Sequence, residues 1–206
     1  MITVYGAPPT RALRVLWMLE EMGLPYQARP VDFANRHQDA EFMAASPTGA
    51  IPGIKDGDVA MMESVAIMEY LGARYGPTPI VPEPRDADFP LYQQFLHFGE
   101  AGLAAPLNVA LGSRFFAPEA EKSNWGATFA VQMVTRRSKA LADQLDRSAY
   151  AAGERFTAAD ISCGYALGLA EALGFADDLD PALGDYLARL RERPAFQKAS
   201  QPNIAA

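Results

Sequence analysis

Ser46-Pro47-Thr48-Gly49-Ala50-Ile51-Pro52, with Glu63-Ser64 and an apolar helical run soon after it, decides the reading of this chain. The stretch describes a pocket made of backbone. A proline directly after a β-branched residue, at the mouth of a strand, can take the cis peptide that only X-Pro bonds reach cheaply. The kink leaves the Ile51 N–H and C=O facing outward, free to pair with an extended peptide as one more strand would. Ser64 then opens a helix whose unpaired N–H groups and hydroxyl favour a carboxylate, while Glu63 beside it can take an ammonium. Together they suit a small zwitterionic peptide with a free α-amino acid end. Each motif alone also fits a structural reading, Pro52 as a trans loop residue and Ser64 as a plain N-cap. Ile67 stands where a capping box would want Glu or Gln, which counts against the second of these.

Ile2 to Tyr5 reads as a short strand. Apolar residues at Ala12, Leu13, Val15, Leu16, Leu19 and Met22 predict a helix over 11–22, stopped by Gly23 with Pro25 beyond. A second strand is predicted over 27–31, and Pro30 assigns it to a sheet edge because it removes a ladder donor. A short helix follows over 39–45. Asp56-Gly57 is a hairpin turn between strands at 53–56 and 59–62, and a helix over 64–75 ends at Gly76 as its C-cap. Pro77, Pro79, Pro82 and Pro84 then rule out helix or central strand. This divides the chain into domain 1–77, linker 78–86 and an all-helical domain 87–206, with helical runs near 91–111 and 123–146. Phe156-Thr157-Ala158-Ala159-Asp160-Ile161 reads as a helix start, Thr157 the N-cap, Asp160 its acidic partner and Phe156 a staple to Ile161.

The Ile51-Pro52 and Glu63-Ser64 pairs, set after the first strand and helix, resemble the cytosolic glutathione transferase family along nearly the whole chain. The resemblance implies an α/β thioredoxin-like N-terminal domain followed by an all-α helical C-terminal domain, assembled as a homodimer. It implies that the residue before the cis proline, Ile51, pairs with the cysteinyl backbone of glutathione, and that Glu63 and Ser64 hold its γ-glutamyl end. Glutathione would be a cosubstrate, its thiolate conjugated to a small hydrophobic electrophile. A free thiol has a pKa of about 8.5, and lowering it by about two units takes about 2.7 kcal/mol of selective stabilisation of the anion.

Thr10, after Pro8-Pro9 and four residues before Arg14, matches where bacterial, theta-like, serine-type members carry their activating serine. The threonine is a departure, since its methyl restricts χ1 and can turn the hydroxyl toward its own backbone. Thr10 is therefore either the donor to sulfur or a helix cap. With a cap alone, helix N–H groups would activate the thiol less well, or the protein would be a glutathione-dependent disulfide reductase or peroxidase; a non-catalytic binding module is the remaining alternative. Tyr5, inside its strand, lies earlier than the family's tyrosine position.

His37 is either a partner for the glycyl carboxylate, as in some members, or a solvated loop residue. Glu100 is a cross-subunit candidate for the γ-glutamyl ammonium. Ala7, Pro8, Phe95, Phe98, Leu103, Phe115 and Phe116 are the apolar candidates for the second substrate.

Composition narrows the rest. Half of the 206 residues are apolar and 21% are charged, as in ordinary globular proteins. The net charge of −7 argues against nucleic acid, so an anionic ligand must be held locally, with Arg11, Arg14, Arg36 and His37 as candidates. Two histidines and one cysteine form no metal-ligand spacing, and no metal is expected. No stretch is long and apolar enough for a membrane span, and no signal-peptide pattern is present. Cys163, the single cysteine, excludes an internal disulfide and points to the cytoplasm; among Ile161, Tyr165 and Leu167 it reads as a buried structural residue.

Overall fold

The computed structural model describes residues 1–201. They form two compact units: Met1–Val81 joined by the chain from Arg191 onward, and Pro82–Leu190.

The first unit is a thioredoxin-like α/β layer built on a four-stranded sheet of order β2-β1-β3-β4, with β1 at Ile2–Tyr5, β2 at Tyr26–Arg29, β3 at Gly53–Asp56 and β4 at Val59–Met62. β1 runs parallel to β2 and antiparallel to β3, so β2 is an edge, and it ends at Arg29, ahead of Pro30, where the sequence predicts a strand over 27–31. Val4 opposes Ala28 on one side and Ile54 on the other, and both Val4 and Ile54 are fully buried. Helix α1, Ala12–Met22, buries Val15, Leu16, Trp17, Met18 and Leu19. Each such side chain contributes about 1.5–3 kcal/mol. It ends at Gly23 in the left-handed region (φ 63°), where the Gly23 and Leu24 N–H groups donate to the Glu20 and Leu19 carbonyls. Helix α2 spans Ala40–Ala45, and α3 spans Ser64–Tyr75 with Ile67, Met68 and Leu71 buried. Gly76 does follow α3, but in an extended conformation (φ −74°, ψ 179°). Glycine suits the position because a Cβ there would lie 2.5 Å from the Gly72 carbonyl oxygen.

The second unit is helical. Where the apolar pattern predicts one run over 91–111, the chain forms α4 (Phe89–His97), a π-helical segment (Phe98–Ala104) and α5 (Ala105–Phe116). At the widened segment, a Cβ on Gly99 would lie 2.5 Å from the Ser162 carbonyl carbon, so two backbones meet where only glycine fits. Helix α6 spans Trp125–Leu145, capped by the Asn124 side chain, which accepts from the Ala127 N–H at 2.9 Å. Helix α7 spans Ala158–Ala172 and α8 spans Pro181–Arg191. At the start of α7, Asp160 is fully buried and accepts from the Thr157 N–H (2.7 Å), the Ala151 N–H (2.8 Å) and the Tyr186 hydroxyl (2.5 Å). Cys163 is buried, its Sγ 3.4 Å from the Phe95 carbonyl oxygen.

The end of the chain departs from the expected division at 87–206. Helix α9, Pro194–Ala199, belongs with the first unit. Phe196 meets Trp17 edge-on (centroids 4.9 Å apart), Arg193 grips Glu21 through two bonds of 2.6 and 2.8 Å, and Lys198 pairs with Glu20 at 2.8 Å. Among the described residues no helix is long and apolar enough to cross a membrane, and no group of three or more His, Cys, Asp or Glu is placed to hold a metal ion.

Candidate functional site

Three segments leave one end of the sheet together. Tyr5 pairs with Gly53 and Gly53 with Met62, so the turn after β1, the loop before β3 and the start of α3 emerge side by side. Ile51-Pro52 is cis. Among the described residues no hydrogen bond engages the Ile51 N–H or C=O. The Ile51 side chain packs against Tyr5, Phe42 and Ala45, which anchors the residue while its amide edge stays open.

Gly6 makes this convergence possible. Its φ is +129°, and a Cβ there would lie 2.4 Å from Ile51 Cγ2, 2.9 Å from Ala12 Cβ and 3.7 Å from Thr10 Oγ1. The loop residue and the hydroxyl thus crowd around one missing side chain. Sequence reasoning passed over Gly6; its one signal was a glycine between a strand and a proline pair.

Thr10 lies in the turn before α1. Its hydroxyl donates to the Ala7 carbonyl at 2.6 Å and accepts from the Ala12 N–H at 3.3 Å. The hydroxyl proton is thus directed at backbone, and donation to another atom means turning the O–H about the Cβ–Oγ bond and giving up a bond worth about 1 kcal/mol net. Arg11 occupies the N-cap position of α1, and no acidic side chain stands in that helix's first turn. Tyr5 is committed elsewhere: its phenol donates to Glu41 at 2.6 Å, and burial, then this bond, pushes its pKa up to about 12.

Glu63 has φ 73° and ψ 103°, the one positive φ among the described non-glycine residues. Such a conformation costs about 1–3 kcal/mol. Nothing in the sequence signals it. Ser64, 4% exposed, accepts at Oγ from the fully buried Arg14 at 3.3 Å. Arg14 therefore supports Ser64 from beneath, as a positive charge under a helix start with no capping side chain and no acid in its first turn. Met62, another residue the motif reading missed, takes the Thr48 hydroxyl on its sulfur at 3.3 Å.

His37 sits in a one-turn segment, Arg36–Gln38, with its ring against Gly49, where a Cβ would lie 2.5 Å from His37 Cε1. Ala7 and Pro8 are half-buried after β1. In the helical unit, Phe95 and Leu103 are 2% and 1% exposed and belong to that unit's core, so neither has surface to offer. Phe98 meets Phe95 edge-on, Phe115 and Phe116 are exposed, and Glu100 lies half-buried in the π segment.

Residues 1–73 match the family described as glutathione S-transferase, N-terminal domain. The chain is 30% identical to glutathione S-transferase 3 of Schizosaccharomyces pombe, covering 78% of this chain and 70% of that protein. It is also 30% identical to glutathione S-transferase 3 of Zea mays, covering 96% and 92%. Among solved structures, a glutathione transferase family member from Pseudomonas fluorescens, with two glutathione bound, superposes with a TM-score of 0.84 at 28% identity, covering 97% of this chain and 92% of that one. A glutathione transferase from Pseudomonas putida, with one glutathione disulfide per subunit, gives 0.85 at 26% identity, covering 98% and 91%.

Proposed function

Because this chain belongs to the glutathione S-transferase family, a family of transferases, we propose that it binds glutathione at the sheet end and conjugates its thiolate to a small hydrophobic electrophile. The observation that carries the reading is the open Ile51 amide edge beside an uncapped α3 N-terminus with Arg14 buried beneath Ser64. In this reading Ile51, ahead of Pro52, pairs with the cysteinyl backbone as an added strand would. The γ-glutamyl carboxylate takes the α3 N–H groups and the Ser64 hydroxyl, and its ammonium takes Glu63. His37 receives the glycyl carboxylate.

Thr10 is assigned the sulfur, as in the serine-type, theta-like members. Its hydroxyl exchanges the Ala7 carbonyl for the thiolate, a stronger acceptor because it is charged. With the unneutralised α1 N-terminus, such a donor can supply the roughly 2.7 kcal/mol that two pKa units require. Ala7 and Pro8 beside it offer apolar surface to the electrophile within the first unit. Assembly as a homodimer in the cytoplasm, with Glu100 reaching the partner's ligand, belongs to the same proposal.

The test separates affinity from chemistry. Thr10→Ala should lower kcat by about tenfold to a hundredfold and raise the pKa of bound thiol, read from thiolate absorbance, with little change in the calorimetric Kd. Ser64→Ala should weaken binding instead. Equal losses of affinity in both variants would contradict the role given to Thr10.

The bond from Thr10 to Ala7 also favours a second reading, in which Thr10 stays a cap and bound glutathione reduces disulfides or peroxides. Turnover of hydroxyethyl disulfide or cumene hydroperoxide, unchanged in Thr10→Ala, would identify it.

A further inference from the structure

The segment after β2 is held to the turn before Ile51 by one side chain. Arg36 donates from Nε to the Gly49 carbonyl at 3.1 Å and from Nη1 to the Phe33 carbonyl, and its guanidinium lies 4.0 Å from the Phe33 ring centroid. The next residue, His37, fills the space that the missing Gly49 side chain leaves. Gly49 has φ +71° and its N–H closes a turn on the Ser46 carbonyl at 2.8 Å. The Ser46 hydroxyl donates to the Ala50 carbonyl at 2.6 Å, and the Ala50 N–H reaches the Thr48 hydroxyl at 3.3 Å. The turn is therefore braced from within at Ser46 and Thr48 and from outside by Arg36, directly ahead of Ile51.

We propose that Arg36 is a positioning residue that clasps the Phe33–Gln38 segment to the Gly49 carbonyl, holding the Ile51 amide edge in its peptide-binding geometry. This rests on the glutathione reading above, and it replaces the expectation that Arg36 itself holds an anion. A planar guanidinium suits the task because two donors in a fixed fork reach two backbone carbonyls while its face covers an aromatic ring. An ammonium can do only part of this. When the clasp opens, the edge is competent for a fraction of the time, and apparent affinity falls by that fraction.

The experiment compares Arg36→Met and Arg36→Lys with the unaltered protein, using glutathione and its glycyl monoethyl ester as ligands. Hydrogen exchange is followed on peptides covering 33–38 and 46–51 without ligand. The clasp predicts that Arg36→Met raises the Kd of both ligands by the same factor, about tenfold, raises KM while kcat holds, and speeds exchange in both peptides. Arg36→Lys should resemble Arg36→Met. If the variants weaken glutathione but not the ester, and Arg36→Lys restores binding, Arg36 is an ion-pair partner of the glycyl carboxylate and the clasp is wrong. Unchanged exchange overturns it too. Should the unaltered protein bind neither ligand, the glutathione reading fails, and the exchange data alone still decide whether Arg36 holds the turn.

Discussion

Replacing Gly6 by alanine should strike the fold and the site together. At φ +129° an L-residue is strained by about 1–3 kcal/mol. The added Cβ would also lie 2.4 Å from Ile51 Cγ2 and 2.9 Å from Ala12 Cβ. Ile51, half-buried against the cluster of Tyr5, Phe42 and Ala45, must shift to make room, and overpacking of this kind costs about 1–3 kcal/mol more. A total of about 2–6 kcal/mol is a large share of the usual 5–15 kcal/mol of a domain. Urea unfolding, followed through the buried Trp17, should show a lower midpoint at unchanged slope. The control is Gly57→Ala, where φ is +58° and a Cβ would meet nothing within 4 Å, so backbone strain of about 1–2 kcal/mol acts alone. Glutathione affinity should fall in Gly6→Ala and hold in Gly57→Ala. If both variants lose the same stability, the crowding argument is refuted.

Asp56 offers a pH test. The Tyr75 hydroxyl first, and that of Tyr70 as well, hold its carboxyl below the ordinary range, with bonds of 2.5 and 2.8 Å. A depressed folded-state pKa means that the stabilisation is present above the unfolded pKa and is lost as pH falls through the folded value, so Tyr70→Phe with Tyr75→Phe should flatten the acid limb of stability below about pH 4. An unaltered acid limb would contradict this. Phe196→Ala should cost about 1–2 kcal/mol through the lost edge-to-face contact and burial. It should shift Trp17 fluorescence and speed exchange in α1, leaving peptides around Asp160 unchanged.

Local signals carried much of the fold. The strands at 53–56 and 59–62 and the helix over 64–75 were legible because Asp56-Gly57 fixes a hairpin and the apolar period changes at Ser64. Thr157 and Asp160 marked the α7 start for the same reason, since a cap is satisfied within one turn. What escaped depends on partners distant in sequence. The π segment answers to the backbone at Ser162, and α9 answers to Trp17, Glu20 and Glu21, none of which spacing reveals. In the site, residue types pointed to Ile51, Glu63 and Ser64, but neither the crowding at Gly6 nor the direction of the Thr10 hydroxyl follows from composition. The positive φ of Glu63 is the clearest case, because the residue there is not glycine.

That backbone has a consequence for anyone breeding a hardier version of this protein. Selection by heat alone would favour glycine at position 63, which relaxes the main chain at once. The winner would survive the oven and forfeit the carboxylate to which the proposed function gives the ligand's ammonium, so a screen blind to ligand would report success without ever testing that role.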